Sequence, residues 1–230
     1  MNIYKKLNNF IYHNSLIKGN DKILLAVSGG IDSLVMTHFL KQYVDSRKAG
    51  IEIHPVYIQL EQVELVESRL NYVRDLFKSI GLSLKVITSK VAANIDFHCF
   101  TCARERRKQL CIYAILNKFD SIAFGHILDD YLETGLLNMI FHGNLQSMKP
   151  FDTMFDKQIQ IIRPLLPFSK KIILKYAHEH NIENKNHKCI YEKNNKRDAI
   201  RQFIKAQRKI FPCYEQNLKK VINQWNDLII

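Results

Sequence analysis

No run of eighteen consecutive apolar residues occurs in this chain, so the sequence offers no membrane-spanning helix. The opening Met1-Asn-Ile-Tyr-Lys-Lys-Leu7 lacks the apolar core of a secretory signal, and a cytoplasmic location is expected. Cysteine is scarce and odd in number, five in 230 residues, which argues against a disulfide framework and for a reducing compartment. In that setting cysteines are more often ligands or nucleophiles. Internal repeats and low-complexity linkers are absent. Acidic residues are in deficit: 22 Asp and Glu stand against 34 Lys and Arg, a net charge of +12. Such an excess suits a polyanionic partner, most simply nucleic acid, although a lysine-rich composition alone would produce it too. The distribution favours a real basic surface. Basic residues cluster at Arg104–Lys108, at Lys170-Lys171 and along Lys185 to Lys209, a segment poor in acids.

Against these absences stands one informative stretch, Ile23-Leu-Leu-Ala-Val-Ser-Gly-Gly-Ile-Asp-Ser33. Five residues with the look of a buried parallel strand run into a Gly-containing turn. An apolar-periodic helix follows, with Leu34, Val35, Met36, Phe39 and Leu40. Strand, glycine turn and helix N-terminus make a phosphate cradle, because glycine lets the backbone approach an anion that the helix N–H groups face. The Gly-Lys-Ser/Thr ending of a Walker A loop is missing. The order Ser28-Gly29-Gly30-Ile31-Asp32-Ser33 resembles the PP-loop of ATPases that cut ATP between the α and β phosphates. Ser28 and Ser33 can either touch phosphate or only cap the helix.

Periodicity extends this to a whole domain. Residues 1–20 predict a short amphipathic helix and a turn at Gly19-Asn20. Further strands are predicted at Ile51–Leu60, Leu82–Ile87, Ser121–Phe124 and Ile159–Ile162. Helices are predicted at 34–43, 63–80, 104–117 and 128–141, with an irregular segment carrying Cys99 and Cys102. Alternating strands and helices imply an α/β, doubly wound, mostly parallel five-stranded sheet of Rossmann-like form, with a small helical C-terminal extension. We expect an N-terminal helix (1–20), a nucleotide domain (21–168) and a basic helical subdomain (169–230). Ligands in such sheets bind outside the carboxyl ends of the strands, where Ser28–Ser33, the Cys99 segment and Gly125–Glu133 all fall.

Two further constellations carry chemistry. Gly125-His-Ile-Leu-Asp-Asp-Tyr-Leu-Glu133 puts Asp129, Asp130 and Glu133 within about one helical turn. Acids there can cap free N–H groups, or they can hold Mg²⁺ against ATP phosphates. Cys99-Phe-Thr-Cys102 precedes Arg104, Arg106 and Arg107. A Cys-x-x-Cys can be redox-active, bind zinc or ligate an iron–sulfur cluster. No second such pair exists to complete a zinc site. Cys111, nine residues after Cys102 on a helix, reads as core, and Cys213 as a turn residue between helices.

Together these motifs, with Glu133-Thr-Gly-Leu-Leu-Asn-Met-Ile-Phe-His-Gly143 and Ile162-Arg-Pro-Leu165, resemble the tRNA 2-thiocytidine synthetase family of PP-loop enzymes over nearly the whole chain. The resemblance implies an ATP-dependent tRNA sulfurtransferase that adenylates a nucleobase C2 oxygen, releases pyrophosphate and AMP, and substitutes sulfur. It implies a 4Fe-4S cluster on Cys99, Cys102 and Cys189. ATP and Mg²⁺ would be held by Ala26, Ser28, Gly29, Gly30, Asp32, Ser33, Gln59, Gly125, His126, Asp129, Asp130 and Arg163, with catalytic parts for Asp32, Asp130 and Arg106. Partners would be tRNA and a sulfur donor, either a cysteine desulfurase or inorganic sulfide. No membrane is involved, and two copies could pair as a homodimer. Arg197 and Arg201, four apart on a basic helix, are expected at the tRNA backbone. The sequence departs from that family at Ile31, where lysine is usual, and in having Cys189 alone where a C-terminal cysteine pair is usual. The lysidine synthetases, which share the aliphatic residue and the tail Lys196-Arg-Asp-Ala-Ile-Arg201, are the rival resemblance. A basic iron–sulfur RNA-binding protein without catalysis is the non-enzyme rival.

Overall fold

In the computed structural model, residues 3–47, 49–64, 66–92, 94, 96–183 and 196–228 are described. Six strands, β1 (Lys22–Val27), β2 (Glu52–Leu60), β3 (Lys85–Ser89), β4 (Ser121–Phe124), β5 (Phe151–Met154) and β6 (Ile159–Ile162), form one sheet in the order β3-β2-β1-β4-β6-β5. The helices are α1 (Ile3–His13), α2 (Ile31–Asp45), α3 (Glu67–Ser79), α4 (Cys99–Leu116), α5 (Leu128–His142), α6 (Lys170–Glu179), α7 (Lys196–Ile210) and α8 (Tyr214–Leu228). None of them is long and apolar enough to cross a membrane among the described residues.

The five expected strands are all present and pair in parallel. A sixth, β5, joins the edge antiparallel to β6. Its half-exposed Phe-Asp-Thr-Met sequence carries no apolar alternation, so pairing with β6 and not periodicity makes it a strand. The second departure is at α4. The segment expected to be irregular is already helical at Cys99, five residues before Arg104. A reciprocal cap explains this: the His98 side chain accepts from the Thr101 N–H (3.3 Å) and the Thr101 hydroxyl accepts from the His98 N–H (2.8 Å).

Strand β1 is buried on both faces, as a central parallel strand must be. Its side chains alternate between two cores. Ile23, Leu25 and Val27 pack with α1, α2 and α6, whereas Leu24 and Ala26 pack with Leu110, Cys111 and Ala114 of α4. A third cluster joins Tyr131, Leu132 and Leu136 of α5 to Ile200 and Ile204 of α7 and Ile222 of α8. The sheet order places the topological switch between β1 and β4, so the segments leaving those two strands open a crevice at their carboxyl ends.

Candidate active site

The loop from β1 lies on one wall of that crevice. Gly29 takes φ +76, a left-handed conformation that favours glycine, and the Arg69 guanidinium lies 2.9 Å from where a Cβ would stand. Gly30 begins α2 without any side-chain cap. The two serines brace the loop: Ser28 Oγ donates to Ser33 Oγ (3.2 Å), Ser33 Oγ donates to the Gly30 carbonyl (2.8 Å), and the Gly30 N–H donates to Ser28 Oγ (3.2 Å). Arg69 of α3 donates to the Ser28 carbonyl from outside (3.2 Å).

Gly125, after β4, is packed against the start of α2. A Cβ at this position would stand 3.1 Å from the carbonyl carbon of Asp32 and from N and Cα of Ser33, all backbone. Beside it, His126 is half-buried, with its ring turned inward. Burial, reinforced by Arg163, Arg107 and Arg197, pushes its imidazole down to about 3, so it is neutral in the folded protein. Its Nδ1 is buried without a hydrogen-bond partner.

The opposite wall is α4. Cys99 and Cys102 sit three apart in its first turn and share one face. The walls enclose a cavity of about 520 Å³ lined by Ala26, Ser28, Gly30, Asp32 and Ser33 on the loop side, Gly125 and His126 at the floor, and Cys99, Cys102, Arg106 and Arg107 opposite. Ile58, Phe97, Leu110 and Phe124 make its apolar surface. The buried Arg106 Nε has no hydrogen-bond partner. A partnerless guanidinium nitrogen and a partnerless imidazole nitrogen beside a glycine cradle fit a polyanionic nucleotide. The two sulfurs on one wall fit a thiophilic metal group for as many ligands as they supply. Cys189 lies outside the described residues, and among those residues no three His, Cys, Asp or Glu side chains gather into a metal site. Cys111 is core, its thiol raised to about 11 by burial, and Cys213 is exposed in the turn between α7 and α8.

The three acids of α5 each meet a different partner. Asp130 Oδ2 accepts the Ile127 N–H (2.9 Å), a capping role, and burial raises its pKa despite that bond, with Asp32 adding to the rise. Asp129 accepts the Lys170 N–H (2.7 Å) and the Arg208 guanidinium (2.9 Å). Glu133 is buried and forms a two-bond pair with Arg201 (2.7 and 3.2 Å). Arg201, expected at the tRNA backbone, is therefore committed to an internal carboxylate that would otherwise be buried without a partner. Arg163 donates to the Lys149 carbonyl (2.6 Å) and faces Asp152 at 3.9 Å. Gln59 turns its amide to the carbonyls of Leu60 (2.9 Å) and Val63 (2.6 Å) and shapes the turn after β2, outside the cavity lining.

Two contributors escaped sequence reading. Lys170, at the start of α6, reaches both Asp32 carboxylate oxygens at 2.7 and 2.8 Å. Its basic cluster was visible, but a contact spanning 138 residues had no local signal. Arg69 sits among charged positions of a surface helix and looked like any solvated residue.

The buried imidazole makes a pH prediction. An unfolded histidine titrates near 6.5 whereas His126 titrates near 3, so the unfolded chain takes up the proton first. Stability is then fully present above about pH 6.5 and falls as pH drops through the window down to about 3. By pH 5 the loss from this residue should be about 2 kcal/mol. Urea melts of wild type and His126→Gln across pH 5–7.5 should show the variant with the flatter acid limb; parallel curves would exclude the effect.

Glycine loop, switch-point crevice and helix N-terminus define a nucleotide-phosphate-binding α/β protein. The chain belongs to the PP-loop domain family, whose model matches residues 1–208. Within it the similarity is to tRNA-cytidine(32) 2-sulfurtransferases. The relative 1 of Francisella philomiragia is 28% identical over 173 residues, covering 72% of this chain and 66% of that protein. The relative 2 of Francisella tularensis FSC 198 is 29% identical over 171 residues, with 72% and 68% covered. The chain thus spans about two thirds of the length of these relatives. Among solved structures, U34-tRNA thiolase NcsA of Methanococcus maripaludis, which carries a 4Fe-4S cluster, superposes with a TM-score of 0.78 at 20% identity, covering 98% of this chain and 76% of that one. NMN synthetase of Francisella tularensis shares the fold at a TM-score of 0.55 and 14% identity, with 97% and 90% covered.

Proposed function

We propose that the protein is an ATP-dependent tRNA sulfurtransferase that adenylates a nucleobase C2 oxygen, in 2-thiocytidine formation, and exchanges it for sulfur. The observation that supports this best is the single cavity shared by the phosphate loop and the cysteine pair. Activation by ATP and delivery of sulfur must happen at one carbon, so both devices have to face one space. In this reading the α2 N-terminus and the loop N–H groups hold the phosphates. Arg106 and Arg107 offset charge that builds as the α phosphorus is attacked. Neutral His126 shapes the floor, and Asp32 and Asp130 serve any Mg²⁺ that accompanies ATP. Cys99 and Cys102, with Cys189, would hold a 4Fe-4S cluster, which when bound supplies the sulfur-carrying iron.

The nucleotide chemistry would be the work of residues 21–168, with the basic stretch from 169 onward holding tRNA by phosphate contacts and the N-terminal helix serving as packing. A target base in a tRNA loop is accessible without opening a duplex. Lysidine formation shares the adenylation but leaves a cysteine pair on the cavity wall without use.

Incubation with ATP and unmodified tRNA tests the reading. AMP and pyrophosphate should appear only when tRNA is present, and Asp32→Ala should abolish both while melting near the wild-type temperature. ADP and phosphate as products would refute it. Nucleoside mass spectrometry then separates the chemistries, because lysidine in place of a 2-thiolated nucleoside would transfer the assignment to the amine-using enzymes.

A further inference from the structure

A second cavity, of about 430 Å³, lies apart from the phosphate loop, where α1, α5, β5 and α8 meet. It adjoins the candidate active site through α5: His126, just before that helix, lines the first cavity, and Leu128 and Tyr131 line the second. Lys149 and Lys219 are among its lining residues, and no Asp or Glu is. Among the described residues neither ammonium has a hydrogen-bond acceptor or a carboxylate as partner. A third cation stands close. Lys6 donates to the carbonyl of Pro167, another lining residue, at 2.7 Å. Burial, with Lys219 adding to it, holds the Lys6 ammonium below the usual lysine range. Like charges gathered without a counter-charge repel one another, and a bound anion relieves that repulsion.

The same cavity offers ring faces and unpaired amide groups. Phe10 of α1 and Phe151 of β5 line it, and neither ring makes an aromatic or cation contact among the described residues. Phe151 is 38% exposed, which leaves its ring open to a ligand. The polar groups alongside are held in place. The Tyr131 hydroxyl donates to Asn223 Oδ1 (2.6 Å), Asn226 Nδ2 donates to the Tyr131 hydroxyl (3.4 Å), and the Ser147 N–H donates to Asn226 Oδ1 (3.1 Å). Asn14 Nδ2 donates to the Phe10 carbonyl (2.9 Å). These bonds leave the Asn223 amide nitrogen as a donor and the Asn14 side-chain carbonyl as an acceptor. A flat face, a donor, an acceptor and unbalanced ammonium groups match a nucleobase joined to a phosphate. The volume lies within the roughly 300–1,000 Å³ of sites that enclose a small organic ligand.

We propose that this cavity holds one unstacked nucleotide of the RNA substrate, other than the nucleotide being modified, with its base on Phe151 and its phosphate at Lys149 and Lys219. This rests on the tRNA reading of the protein. Bases in single-stranded loops are free to stack on an aromatic side chain, whereas bases in a duplex already stack on one another. An acidic peptide would satisfy the lysines but would leave the ring faces without a flat partner.

Filter binding of unmodified tRNA over a salt series, with a fully paired RNA duplex beside it, tests this. Phe151→Leu keeps apolar bulk on β5 and removes the ring. It should weaken tRNA binding about tenfold, as loss of one base stack predicts, with the salt slope unchanged. Duplex binding should not respond to it. Lys149→Gln and Lys219→Gln should each weaken tRNA binding and lower the salt slope by about one. Lys85→Gln, on the strand at the opposite edge of the sheet, should match wild type. All four variants should bind ATP as wild type does, because the phosphate loop lines the other cavity. Equal tRNA affinity in wild type and Phe151→Leu, or equal losses for tRNA and duplex, would overturn the proposal. So would ultraviolet cross-links from bound tRNA confined to peptides that carry neither Phe10 nor Phe151. Polyglutamate that binds as tightly as tRNA and loses as much in Lys149→Gln would also overturn it, in favour of an acidic protein. Wild type that fails to bind tRNA at all would instead bring down the RNA reading beneath it.

Discussion

Alanine at Cys99 or Cys102 should remove all bound iron and reduce tRNA thiolation to the level of a protein-free control. Wild type made without oxygen should hold about four irons per chain, the content of one cubane cluster. The two residues share one face of the first turn of α4, and a cluster bound through three cysteines cannot lose one and keep its geometry. ATP binding should survive in both variants, because the loop that holds phosphate lies on the other wall. Cys111→Ala is the control. Its side chain is wholly buried among Leu24, Leu110 and Ile122, so it should keep its iron and lose about 1 kcal/mol or more to the small void it leaves. Iron retained by Cys99→Ala, or stoichiometric zinc in place of iron, would end the cluster assignment. Cys189→Ala against Cys213→Ala then shows which cysteine is the third ligand.

Gly125→Val should be nearly as damaging with no chemical group removed. The added Cβ meets Asp32 and Ser33 backbone at 3.1 Å, and backbone at a helix start cannot move aside as a side-chain tip can. The Cβ alone forces the backbone to give by a few tenths of an ångström, and the two methyl groups of valine beyond it push the shift toward an ångström. Overpacking of this kind costs about 1–3 kcal/mol in stability. Misplacement of a positioning group by an ångström costs about a hundredfold in rate. The variant should therefore fold with a lowered melting temperature, bind ATP poorly and release AMP about a hundredfold more slowly. Wild-type rates would show that the contact between β4 and α2 does not set the loop.

Much of this site could be read directly because its chemistry is local. The loop at Ser28–Ser33, Gly125-His126 and the cysteine pair each follow a recognisable strand or motif, and the switch between β1 and β4 brings all three to one cavity. Where the reading fell short, the determining interaction was either unusual or distant. Histidine is an uncommon helix cap, so the early start of α4 was hidden. The acids of α5 were counted by spacing, but successive residues of a helix diverge by about 100°. Asp129 and Glu133 face α7 while Asp130 turns toward the helix start and Asp32. Lys170 and Arg208 reach their carboxylates across 138 and 79 residues, distances at which composition suggests a basic surface and says nothing of what it meets.

The pairing of α7 with α5 has a consequence for how the chain can be cut. Arg201 and Arg208 neutralise Glu133 and Asp129 from one helix, and Arg208 is also the last residue of the family match. A chain ended before Lys196 would strip Glu133 of its Arg201 counter-ion and uncover the apolar face of α5 that Ile200 and Ile204 pack against. The basic C-terminal helix is thus the tethered counter-ion of the helix beside the phosphate loop, carried on the same polypeptide and not removable as an appendage.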